Sequence, residues 1–462
     1  MLADKKARSL RCQIEGDQIN RSQTYFLLVF LLLLTSMCFA FQGDPGSKIK
    51  SLRVDQDRLE KSIFELAEFR GNTSENNSRV AFSDADLQAR DYVIGLMNDV
   101  GLEVSIDFAG NIIGRRKGKD PKKKPIAFGS HIDMVPDGGN YDGCVGSMAG
   151  IEIMTLLNEK GILTEHPLEL ILFSNEEGGV MGSRAIAGEL GPEALKVKNS
   201  TGYSMEEGIK RLGGDPDKLA DVVRKKGDLA AFLELHIEQG GILDQEKVQI
   251  GVVEGIVGIN WWDIEVEGFA NHAGTTPMDM RKDALLAAAE FVIAVNEITK
   301  AYEGKQVGTV GMISAEPGAP NVIPGKVNMS LEIRDLSSDK ILAVFNDMRQ
   351  RADSIGVKNG VKFSFSSTDA TSKPALTDPR MRATIDKVAR SLGFSTKHMQ
   401  SGAGHDAQDM ALVAPTGMIF VPSKNGISHS PDEFTSAKDM ANGANVLLQT
   451  IMSLDQGLEL KD

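Results

Sequence analysis

The chain has 462 residues, which exceeds one ordinary hydrophobic core and suits two domains. Hydrophobic residues make up 41% of the chain and charged residues 25%, values typical of soluble globular proteins. The formal net charge of −13 argues against binding to a phosphate backbone, so we predict no nucleic-acid partner.

Residues 1–42 have the features of a secretory signal. An uncharged apolar run at residues 25–41 follows a stretch that contains five Lys and Arg residues, and it ends in the small-x-small pattern CFA at residues 38–40. We predict cleavage after Ala40 and export to a secreted or periplasmic location. An uncleaved membrane anchor and a buried core helix are the alternatives. Cleavage leaves Cys144 as the single cysteine, so no internal disulfide is expected.

Two helices and a basic segment are predicted next. The first helix covers about residues 55–70. Ser83, with Asp86 three residues later as a capping-box-like partner, predicts the start of a second helix that runs to about residue 100. The basic run at residues 115–124 (RRKGKDPKKK) is predicted to form an exposed hairpin tip, and a nucleic-acid patch is the less favoured alternative.

Short apolar strands then alternate with helices, a pattern typical of a largely parallel sheet covered on both faces. After Val257 the order becomes strand–helix–strand–strand–helix–strand, which indicates a small α+β domain of ferredoxin-like form. We therefore predict an α/β fold in which a catalytic domain with a mixed, largely parallel sheet is interrupted by a smaller α+β domain. The predicted segments are the leader at 1–42, the catalytic domain at 43–256 and 370–462, and the inserted domain at 257–369.

Five short motifs place ligand-type residues beside the ends of apolar strands, where a strand holds position and the adjoining loop lets side chains converge. They are GSHID at 129–133, NYDG at 140–143, FSNEE at 173–177, LHIEQG at 235–240 and ISHS at 427–430. Each motif alone has a simpler explanation, such as a hydrogen-bonded His–Asp pair or a solvated Glu-Glu turn. However, three of only seven histidines occur in these motifs. A combined set of His, Asp and Glu ligands is what borderline divalent cations require.

The motifs, their order and the inserted domain resemble the dimetal exopeptidase and aminoacylase superfamily. Within it they most resemble the carbamoylase branch of N-carbamoyl-L-amino-acid hydrolases, ureidopropionases and allantoate amidohydrolases. The resemblance covers nearly everything after the leader, and a histidine at position 236 favours this branch, because the peptidases of the superfamily usually carry Asp or Glu there. Further matching motifs are FSD at 82–84, AGN at 109–111, LELHIEQG at 233–240, NHAGTTPM at 271–278, PGAPNVIPG at 317–325 and SGAGHDA at 401–407.

The resemblance implies two divalent metal ions per subunit, Zn²⁺ or Mn²⁺, with Co²⁺ and Ni²⁺ as alternatives that the same ligands accept. The implied ligands are His131 and His236 for one ion, Glu177 and His429 for the other, and Asp142 as a bridge between them. Two ions about 3.5 Å apart lower the pKa of a shared water. Glu176 is the implied general base, and Asp133 is expected to orient His131.

The resemblance also assigns residues to the substrate. His272 in the inserted domain, which would serve as a lid and dimerisation domain, is expected to stabilise the oxyanion in the partner subunit of a homodimer. Asn321 and Arg334 are expected to grip a substrate carboxylate, since a guanidinium pairs with it in a two-pronged way. Gln239, Gly404 and His405 match pocket positions. The simpler alternatives are a surface strand residue for Arg334 and a capping or hydrogen-bonded histidine for His272.

We therefore predict a metal-dependent amidohydrolase that cleaves the C–N bond of an N-carbamoyl (ureido) amino acid. An allantoate or ureidoglycolate amidohydrolase, or an N-acyl-amino-acid or dipeptide hydrolase, is the alternative, and a binding protein without catalysis is a more remote one. Two departures from the carbamoylase pattern concern the pocket mouth. GGVM follows Glu177 where Gly-Ser/Thr-Arg-Phe is common, and Met134 stands where Thr is common.

Overall fold

The computed structural model of the protein describes residues 51–71, 78–368 and 372–457. The predicted leader at residues 1–42 lies outside the described residues and remains a prediction. In the described ranges no helix is long and apolar enough to cross a membrane.

The helices are α1 Gln56–Ala67, α2 Asp84–Asp99, α3 Cys144–Glu159, α4 Met181–Ala187, α5 Met205–Arg211, α6 Ile242–Glu246, α7 Ala284–Ala301, α8 Ser338–Asn359, α9 Pro379–Ser391, α10 Asp406–Met410 and α11 Ala437–Asp455. The strands are β1 Glu103–Ile106, β2 Ile112–Arg116, β3 Ile126–His131, β4 Leu168–Phe173, β5 Ala231–Ile237, β6 Ile250–Ile256, β7 Gly258–Glu267, β8 Asn271–His272, β9 Val307–Glu316, β10 Val322–Ile323, β11 Lys326–Asp335, β12 Lys362–Ser367, β13 Ala375–Leu376, β14 Thr396–Ser401 and β15 Thr416–Val421.

The larger sheet has nine strands in the order β1-β2-β4-β3-β5-β15-β6-β13, with β14 paired to β6. Its centre, β4-β3-β5-β15, is parallel, and the pairs that flank this centre on both sides are antiparallel. Every residue of β3, β4 and β5 is buried, as expected when both faces of a parallel sheet are covered. The predicted mixed α/β fold is confirmed, and its parallel part lies at the middle of the sheet.

The basic run at residues 115–124 does not form the predicted hairpin tip. Strands β2 and β3 flank this run in the chain, but both pair with β4 and not with each other. The run instead lies against the loop before β4, where Lys119 forms an ion pair of 2.8 Å with Glu165. The hairpin prediction was wrong because adjacency in the chain was taken for adjacency in the sheet.

The inserted part forms a separate sheet in the order β12-β7-β11-β9, with all neighbours antiparallel. Its elements follow one another as β7, α7, β9, β11, α8 and β12, which is the predicted order. Alternate residues of β11 are buried beneath α7 and α8. Trp262 on β7 stacks on Phe345 of α8 with ring centroids 4.1 Å apart. The smaller α+β domain therefore has its own hydrophobic core.

The carboxyl ends of the central parallel strands meet at one edge of the larger sheet. His131 at the end of β3 lies level with Phe173 at the end of β4. His236 near the end of β5 lies level with Phe420 near the end of β15. The loops that follow β4 and β15 therefore leave the sheet beside the two histidines, and this edge positions the candidate site.

Candidate metal centre

The five predicted metal ligands come together as two groups that share one residue. His131, Asp142 and His236 each offer a ligand atom, and these atoms lie within 4.8 Å of one another. Asp142, Glu177 and His429 form a second group by the same measure. The two groups bring together the ends of β3, β4, β5 and β15 and the turn before α3, so residues separated by almost three hundred positions converge.

Each oxygen of the shared Asp142 carboxylate faces a different group. Asp142 Oδ1 lies 3.1 Å from His236 Nε2 and 3.7 Å from His131 Nε2. Asp142 Oδ2 lies 3.3 Å from His429 Nε2, and this nitrogen lies 3.6 Å from Glu177 Oε2. A carboxylate placed in this way suits a bridge between two cations.

Two observations test whether these residues fit metal ions. Within the described residues, His131 Nε2 and Glu177 Oε1 are buried without a hydrogen-bond partner, which is uncommon for buried polar atoms. The other ring nitrogen, Nδ1, lies 3.1 Å from the Asp133 carbonyl oxygen in His131 and 2.9 Å from the Ile237 carbonyl oxygen in His236. Donation from Nδ1 leaves Nε2 as the ligating atom, the arrangement expected of metal-bound histidine. The residues therefore fit a pair of divalent cations.

The close approach of Asp142 to the histidines requires glycine at position 143. Gly143 has a φ of +65°, a conformation that L side chains rarely adopt. A Cβ at this position would lie 2.3 Å from His131 Nε2. The glycine therefore lets the turn before α3 pass directly beneath the metal-facing edge of the imidazole.

Burial and mutual repulsion raise the pKa values of two acidic residues at the centre. Burial and the charges of Asp406 and other nearby carboxylates raise the pKa of Glu176 well above its ordinary value. Burial and the charge of Asp142 do the same to the pKa of Glu177. A divalent cation offsets such mutual repulsion, because buried charges are stable when they are paired or bound to a metal.

The two buried histidines of the first group differ in pKa. Burial lowers the pKa of His131 to about 4, which favours the neutral, ligating form. Burial also acts against protonation of His236, but the charge of Asp142 and a hydrogen bond to it help raise the pKa of His236 to about 9. A cation at His236 therefore competes with a proton, and metal binding is coupled to pH.

Asp133 contacts His131 differently from the expectation. The contact of 3.1 Å with His131 Nδ1 is made by the backbone carbonyl, and the nearest carboxylate oxygen is 3.6 Å away. The Asp133 carboxylate instead accepts backbone hydrogen bonds from Glu176 and Glu177, each 3.2 Å long. Asp133 is thus placed to orient the turn after β4 as well as the histidine.

The predicted general base lies at the first of the two groups. Glu176 is buried, and its Oε2 lies 3.5 Å from His131 Nε2. Two predicted pocket residues also contact the centre. Gln239 Nε2 donates to Asp142 Oδ2 at 2.7 Å, and the ring centroid of His405 lies 4.4 Å from that of His236. Gly404, the third predicted pocket residue, precedes His405 in the chain and is exposed.

Arg334 reaches the loop that carries Gly404 and His405. Its Nη1 donates to the Gly402 carbonyl oxygen at 2.6 Å. Its Nε and Nη2 donate to the two oxygens of Glu332 at 2.7 and 3.0 Å. Arg334 is therefore not an isolated strand residue, because it spans from the inserted sheet to a loop that contacts the metal centre.

His272 and Asn321 lie together in the inserted domain and away from these contacts. Val322 pairs with His272, and the Ala273 N–H donates to the Asn321 carbonyl oxygen at 2.9 Å. His272 is exposed, and its Nδ1 accepts from the backbone of Gly274 and Thr275. Within the described parts of the chain, no hydrogen bond or ion pair joins the side chains of His272 or Asn321 to the five ligand residues. The structure of one chain does not bring these two residues to the metal centre.

The sequence analysis gave no role to three residues that hold the site. Asn111 is fully buried and accepts from the Ser174 backbone at 3.0 Å, which fixes the start of the turn that carries Glu176. Ser428 and Glu433 contact Asp142 from the loop after β15. Asn111 lies in the AGN motif and Ser428 in the ISHS motif, so the motifs contained a signal for two of the three. Glu433 lay outside every motif.

Comparison with known proteins identifies the family of the chain. The model of peptidase family M20/M25/M40 matches residues 127–453. An N-carbamoyl-L-amino acid amidohydrolase of Geobacillus stearothermophilus is 38% identical over 409 residues, which are 87% of this chain and 100% of the relative. A ureidoglycolate hydrolase of Arabidopsis thaliana is 40% identical over 417 residues, 87% of each chain.

A solved structure gives the same result. The amidase of the hydantoinase/carbamoylase family from Burkholderia multivorans superposes with a TM-score of 0.82 at 35% identity, covering 88% of this chain and 99% of the other. The family is metal-dependent, its relatives here are amidohydrolases that act on C–N bonds, and the resemblance inferred from the motifs is confirmed. The chain belongs to peptidase family M20/M25/M40 and is a metal-dependent amidohydrolase of its carbamoylase branch.

Proposed function

We propose that the protein hydrolyses an N-carbamoyl amino acid to the free amino acid, CO₂ and ammonia. One water is consumed, according to R–NH–CO–NH₂ + H₂O → R–NH₂ + CO₂ + NH₃. The observation that carries this proposal is the shared carboxylate of Asp142 between two ligand groups, with Glu176 Oε2 3.5 Å from His131 Nε2. A base beside a two-cation site is the arrangement needed for hydrolysis of an unactivated C–N bond.

We propose two divalent cations, one at His131, Asp142 and His236 and one at Asp142, Glu177 and His429. Zn²⁺ and Mn²⁺ suit these imidazole and carboxylate ligands, and Co²⁺ and Ni²⁺ are accepted by the same set. When bound, such cations polarise the ureido carbonyl and make water a better nucleophile at neutral pH. Glu176 then takes a proton from the attacking water and returns it to the leaving nitrogen.

The substrate carboxylate is proposed to bind at Arg334. The Glu332 contact uses the Nε and Nη2 side of the guanidinium, and Nη1 faces the loop at Gly402 beside His405. A carboxylate that approaches from this loop can pair with the Nη1 side while the ureido group lies at the cations. Gln239 and His405 would then contact the part of the substrate between them, and Asn321 would assist at the carboxylate.

A homodimer is proposed to complete the site. His272 is the expected oxyanion donor, and acceptance of two backbone N–H groups by Nδ1 leaves Nε2 to carry the proton of the neutral ring and to act as a donor. The edge strand β9 exposes Met312 and Ile313, with 69% and 50% of their surface accessible. Exposed apolar side chains on an unpaired strand edge suit a contact with a second copy.

Residues 1–42 are proposed to direct export, on the strength of the basic stretch and the apolar run in the sequence. Expression without residues 1–40 should then give soluble, active enzyme, because the leader is not needed for folding. Aggregation of the shortened chain would indicate that the apolar run belongs to the folded core.

A second candidate substrate is ureidoglycolate or allantoate, favoured by the 40% identity to the plant ureidoglycolate hydrolase. A substrate screen separates the candidates. Ammonia release would be measured over N-carbamoyl amino acids, ureidoglycolate and allantoate, and compared with cleavage of N-acetyl amino acids and dipeptides at equal concentration. The proposal expects the highest kcat/KM for an N-carbamoyl amino acid, with loss of turnover in Glu176→Gln. Preferred cleavage of ureidoglycolate or allantoate would support the second candidate instead, and preferred cleavage of dipeptides or N-acetyl amino acids would overturn both.

A further inference from the structure

A single buried carboxylate joins two distant parts of the chain behind the metal ligands. Glu433 is 4% exposed and lies in the loop after His429. Its Oε1 accepts from the backbone N–H of Tyr141 at 2.9 Å and from that of Asp142 at 3.0 Å. These two N–H groups open the turn that carries the bridging ligand, so one oxygen of Glu433 fixes the backbone of that turn.

The second oxygen of Glu433 reaches the side chain of the same ligand through Ser428. Ser428 Oγ lies 2.9 Å from Glu433 Oε2 and 3.1 Å from Asp142 Oδ2. Asp142 Oδ2 is the oxygen that faces His429. Glu433 thus holds the backbone of Asp142 directly, and the Ser428 hydroxyl, which has one proton to donate, lies between the two carboxylates.

The fit around Glu433 is close. A Cβ at Gly139 would lie 2.3 Å from the Glu433 side chain. Beyond the carboxylate, the rings of Tyr141 and Phe434 meet edge to face with centroids 5.6 Å apart. The turn before α3 and the loop after β15 are therefore packed against each other around this one side chain.

The contact of Glu433 with the turn of Asp142 bears on binding of the second cation. His429 is the only proposed ligand that comes after the inserted domain, and the other four precede it. The second cation therefore depends on correct placement of the loop after β15 against the turn of Asp142. Besides His429 itself, Glu433 and Ser428 are polar side chains of this loop that contact the turn of Asp142.

We propose that Glu433 is a positioning residue for the metal centre, which holds the bridging Asp142 and the loop of His429 in register so that the second cation binds tightly. This inference rests on the proposed two-metal function. It assigns Glu433 no contact with substrate. Side chains that orient metal ligands in this way typically contribute 10–100-fold to metal affinity or activity.

The test measures metal affinity directly. Purified full-length wild type, Glu433→Ala, Glu433→Gln and Gly139→Ala would be freed of metal, and the affinity for Zn²⁺ and Mn²⁺ measured by competition with a coloured chelator. Glu433→Ala should weaken the second equivalent of metal by about 10–100-fold. Glu433→Gln should weaken it less, because its amide oxygen still accepts from Tyr141 and Asp142. At saturating metal, kcat should fall in Glu433→Ala with little change in KM.

Glu152→Ala is the matched control. Glu152 is another buried glutamate, 3% exposed, and it accepts from the Asp55 backbone at 2.8 Å and pairs with Arg58 at 2.6 Å. Its loss should lower stability and leave metal affinity unchanged.

Gly139→Ala displaces Glu433 without removing it and should weaken metal binding in the same way. This variant tests the role of Glu433 if Glu433→Ala fails to fold. Wild-type metal affinity in the folded Glu433→Ala and Gly139→Ala variants would overturn the inference. Failure of the wild type itself to bind two equivalents would instead overturn the proposed function.

Discussion

The carboxylate of Asp133 accepts a hydrogen bond of 3.2 Å from the backbone N–H of Glu176. Its other oxygen accepts one of the same length from the next residue, Glu177. The side chain of Asp133 therefore fixes the backbone of two consecutive residues, and the side chains of these residues have different proposed roles. Glu176 lies toward the first ligand group and Glu177 toward the second.

Replacement of Asp133 by Asn should test this clamp. An amide has only one acceptor oxygen, so one of the two backbone N–H groups would face an NH₂ donor. We expect Asp133→Asn to lower kcat by about 10–100-fold, the usual scale for a residue that orients metal ligands. Steady-state kinetics at saturating metal measure this. Unchanged kcat would show that the turn after β4 keeps its position without the clamp.

The neighbours Glu176 and Glu177 should separate catalysis from metal binding. Glu176→Gln should keep both cations but lose at least about 100-fold in kcat, the scale of general-base removal. Glu177→Gln should lower the metal content itself, because an amide is a poorer ligand than a carboxylate. Elemental analysis of the purified variants distinguishes the two, and the reverse pattern would exchange their roles.

Arg334 should determine preference for a substrate carboxylate. Arg334→Lys should raise KM by about 10–100-fold, the scale of a lost charged hydrogen bond, since a point charge cannot replace a planar fork. Glu332→Ala should raise KM by a smaller factor, because it removes the bidentate contact that holds the guanidinium. The wild type should show a similar loss with an amidated substrate. Equal kcat/KM for acid and amide would exclude Arg334 from the site.

Stability should depend on pH through Asp409, outside the metal ligands. Burial raises the pKa of Asp409 to about 6, against the opposing effects of Arg184 and a hydrogen bond from Ser183. Because the folded-state pKa is higher than the unfolded one, ionisation is penalised in the folded protein. The contribution of Asp409 to wild-type stability should therefore fall as pH rises from about 4 to about 6, by about 3 kcal/mol at most.

Asp409→Asn removes this ionisation. The free energy of unfolding of the variant minus that of wild type should increase from pH 4 to pH 7, by the amount the wild type loses. Urea unfolding of both proteins at pH 4, 5, 6 and 7 measures the difference. A difference that is constant over this range would mean that Asp409 titrates at its ordinary pKa.

The homodimer should be revealed by mixing inactive variants. Glu176→Ala and His272→Ala homodimers should each be nearly inactive. In a mixed dimer one site has lost both residues, and the other combines Glu176 of one chain with His272 of its partner. Random re-pairing makes about half the dimers mixed, so activity should return to roughly a quarter of wild type. If subunit exchange is demonstrated and no activity returns, His272 does not act across a dimer interface.

Local patterns predicted local structure well. The N-cap at Ser83 is confirmed, with its side chain accepting from the Asp86 N–H at 3.1 Å. Strand β5, Ala231–Ile237, is one of the short apolar strands expected to alternate with helices, and all of its residues are buried. In both cases the stabilising contacts are made by neighbours in the chain or by a continuous apolar run, so periodicity and capping rules were sufficient.

Contacts between distant segments were harder to predict. Strand order cannot be derived from adjacent apolar runs, which is why the hairpin at residues 115–124 was wrong. Glu433 accepts a hydrogen bond from Asp142, which is 291 residues away in the sequence. The residue type alone does not show whether a glutamate is a buried acceptor or a solvated acid. The backbone carbonyl of Asp133 contacts His131, and a carbonyl leaves no trace in the sequence. Motifs thus located the candidate ligands, while the groups that hold these side chains in place were found only in the fold.

Two cations at the Asp142 centre are proposed to drive hydrolysis of a ureido C–N bond. The most direct measurement is a metal titration of chelator-treated enzyme, with ammonia release from its best N-carbamoyl amino acid as the readout. We expect no turnover without metal, a rise as Zn²⁺ or Mn²⁺ is added, and a plateau near two equivalents per chain. Full ammonia release by enzyme shown to be free of metal would contradict it.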